Sequence, residues 1–409
     1  MEKQALFKKI VIVMGLLIAL PAHALPPLQL FIDLTPLGKT LRLLPGTYSG
    51  PAVITKPIVI EGGGEVTVDN EGEGTVMTIK SDHVVVRGLR LTGSGGSHDA
   101  MDAGVLIEGD EVLFEENRLD DVLFGIHIKQ GNANTIRNNS VTSKPFAPSL
   151  RGEGLRIWYG SENLIEGNTF HHVRDLLLTN ASANRIVGNE LHHNRISMEF
   201  IFSPDNIVKN NRIGVNDTGI VAIYSDGLSI EGNRIEHIRN MGSSALAIKE
   251  SSQVRIENNE ILHNTVGLTA NSPVFPENIL YLENNRFSYN NVAMYFYGEK
   301  GGHIIHGNHF VNNLSTIAVS HEKSAKSNDW QGNLWDNYQG FDQDRDGFGD
   351  TPHTIRRYAD RIWMDRPVTQ FFRGTPMMAV IDFMERLAPF SEPDAILTDP
   401  RPLVDYSPE

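Results

Sequence analysis

The 409-residue chain has no cysteine, so disulfides and thiolate ligands are both excluded, and soft-metal chemistry falls to methionine and histidine. It has no surplus of basic residues either: 36 Lys and Arg stand against 50 Asp and Glu, a formal charge of −14. That sign excludes nucleic acid as a main partner and favours cations or basic proteins. Nor is there an apolar run of bilayer-spanning length. The run Ile10 to Leu20 has 11 residues, against the roughly 20 that a membrane helix needs. With Lys8 and Lys9 before it and Ala22-His23-Ala24 after it, this run reads as the core of a secretory signal, residues 1–24, cleaved after Ala24. Its loss removes three Lys and one Glu, leaving the exported chain at −16.

What the chain has in quantity is a repeat. Between Phe114 and Trp335 the phrase apolar, any, Gly or Asn, Asn, any, apolar recurs ten times at intervals of 21 to 29 residues. Its second Asn falls at Asn117, Asn139, Asn168, Asn189, Asn211, Asn233, Asn259, Asn285, Asn308 and Asn333. The preceding residue is Gly or Asn in every copy but one, where it is Glu116; both types accept a left-handed backbone, so each repeat bends sharply there. Apolar residues on both sides of the bend point into a shared core, and the recurring amides are placed to bond to one another from turn to turn. The pattern predicts an all-β, right-handed parallel β-helix, a solenoid about 50 Å long with turns about 4.8 Å apart. A leucine-rich repeat has a similar period but needs a helical or regular outer segment. Here the intervening pieces, such as Gly219-Ile220-Val221-Ala222-Ile223, read as further short strands.

The division expected is a coil over 25–340, an Asp-rich loop over 341–357, and a C-terminal extension over 358–409. Leu25 to Thr40 is expected to cover the open N-terminal end. In the extension, Thr375 as cap, Pro376 at the first position and Pro389 beyond the end predict a helix over 375–387.

Four features suit chemistry. Asp342, Asp344, Asp346, the Phe348 carbonyl and Asp350 have the spacing of the first half of a calcium loop, but His353 stands where its bidentate Glu belongs. The alternative is a solvated acidic turn. Ser97-His98-Asp99-Ala100-Met101-Asp102 is a polar insertion in which His98, Asp99 and Met101 offer imidazole, carboxylate and thioether to copper. Plain packing of Met101 is its bland counterpart. Four residues past the recurring Asn stand His172, His193, His237 and His263, interrupted by Val215, with His171 and His192 beside the first two. Adjacent turns would let His172 and His193 share a metal, or merely stack. Finally, Met377, Met378, Ile381, Phe383 and Met384 make the predicted helix apolar on most sides, either to cap the last coil or to dock on a membrane partner.

Beyond the repeat, three segments carry a family resemblance: Met101-Asp102-Ala103-Gly104 after Gly93-Ser94-Gly95; Gly332-Asn333-Leu334-Trp335-Asp336-Asn337-Tyr338 through Asp350-Thr351-Pro352; and Tyr358-Ala359-Asp360-Arg361 through Leu387-Ala388-Pro389-Phe390-Ser391-Glu392-Pro393. Over nearly its whole length the chain resembles the NosD family. These are carbohydrate-binding and sugar-hydrolase-like β-helices that serve nitrous oxide reductase maturation in the periplasm. The resemblance implies a copper-handling protein, not an enzyme. It implies an ABC-type ATPase and its membrane permease, a copper chaperone and nitrous oxide reductase as partners. A weak Met and His site, without thiolates, suits an ion that must be passed on. No ligand set carries over residue by residue. The reading from a different class is a polysaccharide lyase, epimerase or sugar-binding β-helix, for which Arg151, Arg156 and Tyr159 would form the cluster.

Overall fold

The computed structural model describes residues 25–271, 278–298, 300–320, 323–356, 375–387 and 395–404. The expected signal over 1–24 lies outside them. Most turns of the coil contribute two strands to a 24-stranded sheet and one to a 12-stranded sheet, all paired in parallel, while Val59–Asp69 and Val85–Thr92 each run through both positions of the larger sheet as one strand. One turn runs Leu155–Trp158, Leu164–Glu166, Thr169–His171 and returns at Leu176–Thr179. Twelve strands in the smaller sheet give a rod of about 55 Å. No turn carries a helix in place of its third strand, which disposes of the leucine-rich alternative among the described residues.

The bend before the recurring Asn is left-handed in all ten copies, with φ between 54° and 65°, and Glu116 at 55° behaves like the Gly and Asn copies. Each Asn Oδ1 accepts the main-chain N–H of the Asn one turn earlier, from Asn117–Asn139 at 2.9 Å to Asn308–Asn333 at 3.0 Å. Each Nδ2 in turn donates to a strand carbonyl, as Asn168 does to Ile136 at 2.8 Å. A buried amide stack of this kind satisfies the corner peptides that leave the sheet hydrogen bonding. Two further stacks occupy other corners: Asn134–Asn163–Asn184–Asn206, and Asn194–Asn216 with Asn264–Asn290–Asn313. The flanking apolar residues form inward columns in register, such as Ile165–Ile186–Val208–Ile230–Ile256. All are buried, and Phe287, Phe310 and Trp335 stack at 5.5 and 4.6 Å near the far end.

Both ends are covered. The helix Leu28–Leu34 buries Leu28 and Ile32 on the first turn. Gln29 of that helix accepts the Val53 N–H at 2.7 Å and donates to its carbonyl at 3.2 Å, blocking an edge that would otherwise pair with another chain. At the other end the sequence had offered no sealing strand. Ala395–Asp399 pairs antiparallel with His353–Arg356 and seals the last coil. The helix Pro376–Leu387 precedes this strand. Its Met377, Val380, Ile381, Phe383 and Met384 side chains are exposed, while Met378's side chain lies outside the described set. Among the described residues no helix is long and apolar enough to cross a membrane.

Candidate metal centre

The histidine corner is built by the same backbone device as the asparagine corner. His172 and His193 adopt φ of 54° and 60° at the ends of the strands Thr169–His171 and Glu190–His192, which pair His171 directly with His192. The left-handed residue swings its ring back toward the preceding one. The two Nδ1 atoms of His171 and His172 consequently lie 3.1 Å apart, and those of His192 and His193 3.0 Å apart. Between turns the rings stack in parallel, His171 on His192 at 5.3 Å and His172 on His193 at 5.1 Å. His237, His263 and Tyr289 continue the column at 5.3 and 4.9 Å beyond the Val215 interruption.

Burial first, and then the neighbouring imidazoles, hold His171, His172 and His192 below the ordinary histidine value. Each neutral ring therefore keeps one unprotonated nitrogen at neutral pH, and both rings of a dyad face one ion with Nδ1 when their protons sit on Nε2, where Thr142 Oγ1 lies 2.8 Å from His171. Two nitrogens about 2.0 Å from one ion would subtend about 100° at a 3.1 Å separation, an ordinary ligand angle. Each dyad thus has the span of a two-nitrogen chelate, and the array repeats it on the next turn.

The other predicted ligands sit elsewhere. His98 is exposed, its Nε2 lies 3.1 Å from the Leu150 carbonyl, and its ring meets Phe124 edge-on at 5.6 Å. Met101, at φ 53°, packs against the cluster of Ala103, Leu123 and Phe124, while Asp99 is exposed. In the acidic loop, oxygens of Asp342, Asp344 and Asp346 converge within 4.8 Å. Asp342 accepts the N–H groups of Asp346 and Gly347, and Asp350 that of Gln343. The Phe348 N–H and then Arg401 hold the Asp346 carboxyl below the usual range. Arg401 also lies over the Phe348 ring at 4.2 Å, tying the loop to the C-terminal seal.

Arg151, Arg156 and Tyr159 do not converge. Arg151 donates to the Phe146 carbonyl, Arg156 turns to Glu153, and Tyr159 stands exposed with its ring edge-on to Trp158.

Comparison with known proteins agrees with this architecture. Residues 59–170 match the right handed beta helix region family, and residues 138–340 match the family described as periplasmic copper-binding protein (NosD). Residues 138–340 carry a NosD domain. The chain is 24% identical to the probable ABC transporter binding protein NosD of Pseudomonas aeruginosa, over 85% of this chain and 84% of that one. It is also 24% identical to the protein of the same description from Stutzerimonas stutzeri, over 90% and 88%. Among solved structures, the coil resembles the A-module of a mannuronan C-5 epimerase from Azotobacter vinelandii (TM-score 0.50, 14% identity, 69% of this chain and 87% of that one). It also resembles the catalytic domain of a GH87 α-1,3-glucanase (0.51, 13%, 72% and 64%). These likenesses establish the coil alone.

The sequence pattern did not single out a buried ionic group on the smaller sheet. Glu153 and Asp175, both 1% exposed, are held by Arg174, Arg156 and Arg195. Beside it His127, 6% exposed, is registered directly against Arg156. The available signal was a polar residue inside largely apolar strands, His127 in Phe124–Lys129 and Arg156 in Leu155–Trp158.

Proposed function

We propose that this chain is a periplasmic copper-handling protein of an ABC transporter complex, contributing to assembly of the copper centres of nitrous oxide reductase. Copper is its cargo, received from a chaperone and released to the reductase, while an ATPase and a permease change the complex's state. The observation that carries this reading is the pair of imidazole dyads at His171–His172 and His192–His193. Neutral imidazole nitrogens without thiolates bind copper yet can release it. The family's description as copper-binding and the relatives' description as ABC transporter binding proteins support the same assignment. The exposed apolar side of the helix Pro376–Leu387 is the surface we assign to the permease.

Copper(I) titration of the leaderless protein against a competing chelator tests the reading. The parent is expected to take up copper. Loss in a variant with His171, His172, His192 and His193 all changed to Ala places the ion on the array, whereas loss in His98→Ala with Met101→Ala places it on the loop. A parent that takes up no copper overturns the reading. Calcium at the acidic loop is a separate proposal, tested by whether millimolar calcium raises the melting temperature.

A further inference from the structure

The outer face of the smaller sheet holds a pocket of about 400 Å³ that the copper reading does not use. Its floor is a two-by-two set of outward side chains: His127 beside Arg156 and Lys129 beside Trp158, on directly paired strands. Leu106 extends the floor by one strand, next to His127. Met101 forms part of the roof. The roof is a built feature: Asp102 accepts the Ser97 N–H at 2.8 Å, Ser97 accepts that of Ala100 at 3.1 Å, and Ser94 ties the segment to the Leu123 N–H at 2.8 Å.

Two polar groups of the floor are left without partners. The Nε2 of His127 and the Nε of Arg156 are both buried and make no hydrogen bond among the described residues. An Arg Nε can only donate, so it calls for an acceptor. The rest of the guanidinium is weakly held: its Nη1 reaches Glu153 at 3.4 Å, and that carboxylate is engaged more closely by Arg174. Lys129 sits on Glu108 at 3.2 Å but is 42% exposed. Buried polar groups are ordinarily satisfied, and two neighbouring exceptions in one pocket indicate a missing acceptor. A metal ion is disfavoured beside Arg156 and Lys129, whereas a carboxylate matches the guanidinium fork. Leu106, Met101 and Trp158 leave most of the remaining wall apolar.

We infer that this pocket binds a small amphiphilic carboxylate, with its anionic head on Arg156, His127 and Lys129 and its apolar body between Leu106, Met101 and Trp158. The site uses none of the histidine array and shares only Met101 with the loop alternative for copper. It also differs from a sugar-acid site, because the wall around the body, formed by Leu106, Met101 and Trp158, offers few partners for hydroxyl groups.

Isothermal titration of the leaderless, copper-free protein with four probes tests it. Phenylacetate carries head and body; acetate lacks the body, benzyl alcohol lacks the head, and glucuronate has a polar body. Phenylacetate is expected to bind at least tenfold more tightly than each of the others. Arg156→Ala and Lys129→Met should each weaken it at least fivefold, and the exposed Lys129 serves where loss of Arg156 unsettles Glu153. The inference is overturned if phenylacetate does not bind, if acetate or glucuronate binds as well, or if Lys129→Met in a folded protein changes nothing.

Discussion

Asp399 is the last rung of the asparagine column. One carboxylate oxygen accepts both the main-chain N–H and the Nδ2 of Asn333, each at 3.0 Å, and the Trp335 indole N–H at 3.1 Å. The side chain is fully buried, and its other oxygen accepts the Arg401 N–H at 3.1 Å. An open solenoid end would leave those donors unsatisfied and the final strands free to pair with other chains.

Asp399→Ala should therefore destabilise the coil by about 2–3 kcal/mol, because several buried donors lose their acceptor at once. Asp399→Asn keeps one acceptor oxygen in the geometry the ladder uses, and should lose less than half as much. Urea unfolding of the two variants makes the comparison, and equal losses would mean that charge, not the rung, matters.

Removing Glu153 should be more damaging. Its buried carboxylate is shared by Arg174 and Arg156, so Glu153→Ala leaves Arg156 without its carboxylate and Arg174 with Asp175 alone. A loss of about 3 kcal/mol is expected, read as a lowered urea midpoint with unchanged slope.

Acidification should weaken the fold through His127. Burial first, then Arg156 and Lys129, push its value from 6.5 down to about 4. Between those limits the unfolded chain takes up a proton that the folded chain refuses. The contribution is thus fully present above pH 6.5 and is lost as pH falls toward 4, by about 3 kcal/mol. His171, His172 and His192 are displaced in the same direction and add to the trend. Urea midpoints at pH 7.5, 5.5 and 4.5 should fall steadily, and His127→Leu should flatten part of that fall.

The coil was legible because its determinants are local and repeat: a left-handed residue, an amide and two apolar neighbours define each bend without reference to the rest of the chain. Even Glu116, which broke the residue rule, kept the backbone. The histidine column was legible for the same reason, since its members share one repeat position. The dyad geometry was not, because it depends on the left-handed φ at His172 and His193 turning each ring onto its neighbour. The seal by Ala395–Asp399 was hidden for a different reason: a strand 66 residues from Asn333 pairs once, outside any period. His127 and Arg156 were invisible as a pair until the strand register set them side by side.

The helix Pro376–Leu387 makes a testable surface. Deleting 374–409 is a poor test, since it removes Asp399 and unseals the coil. Ile381→Ser with Phe383→Ser, both exposed, should leave the melting temperature within about 1 °C while reducing co-purification with the permease. Retained co-purification would move the contact elsewhere.

The most direct measurement is the copper content of nitrous oxide reductase purified from cells that lack this chain and are complemented with either parent or the four-histidine variant. The account predicts copper-loaded reductase with the parent and copper-poor reductase with the variant, at equal levels of folded protein. Fully loaded reductase in cells that have neither would contradict it.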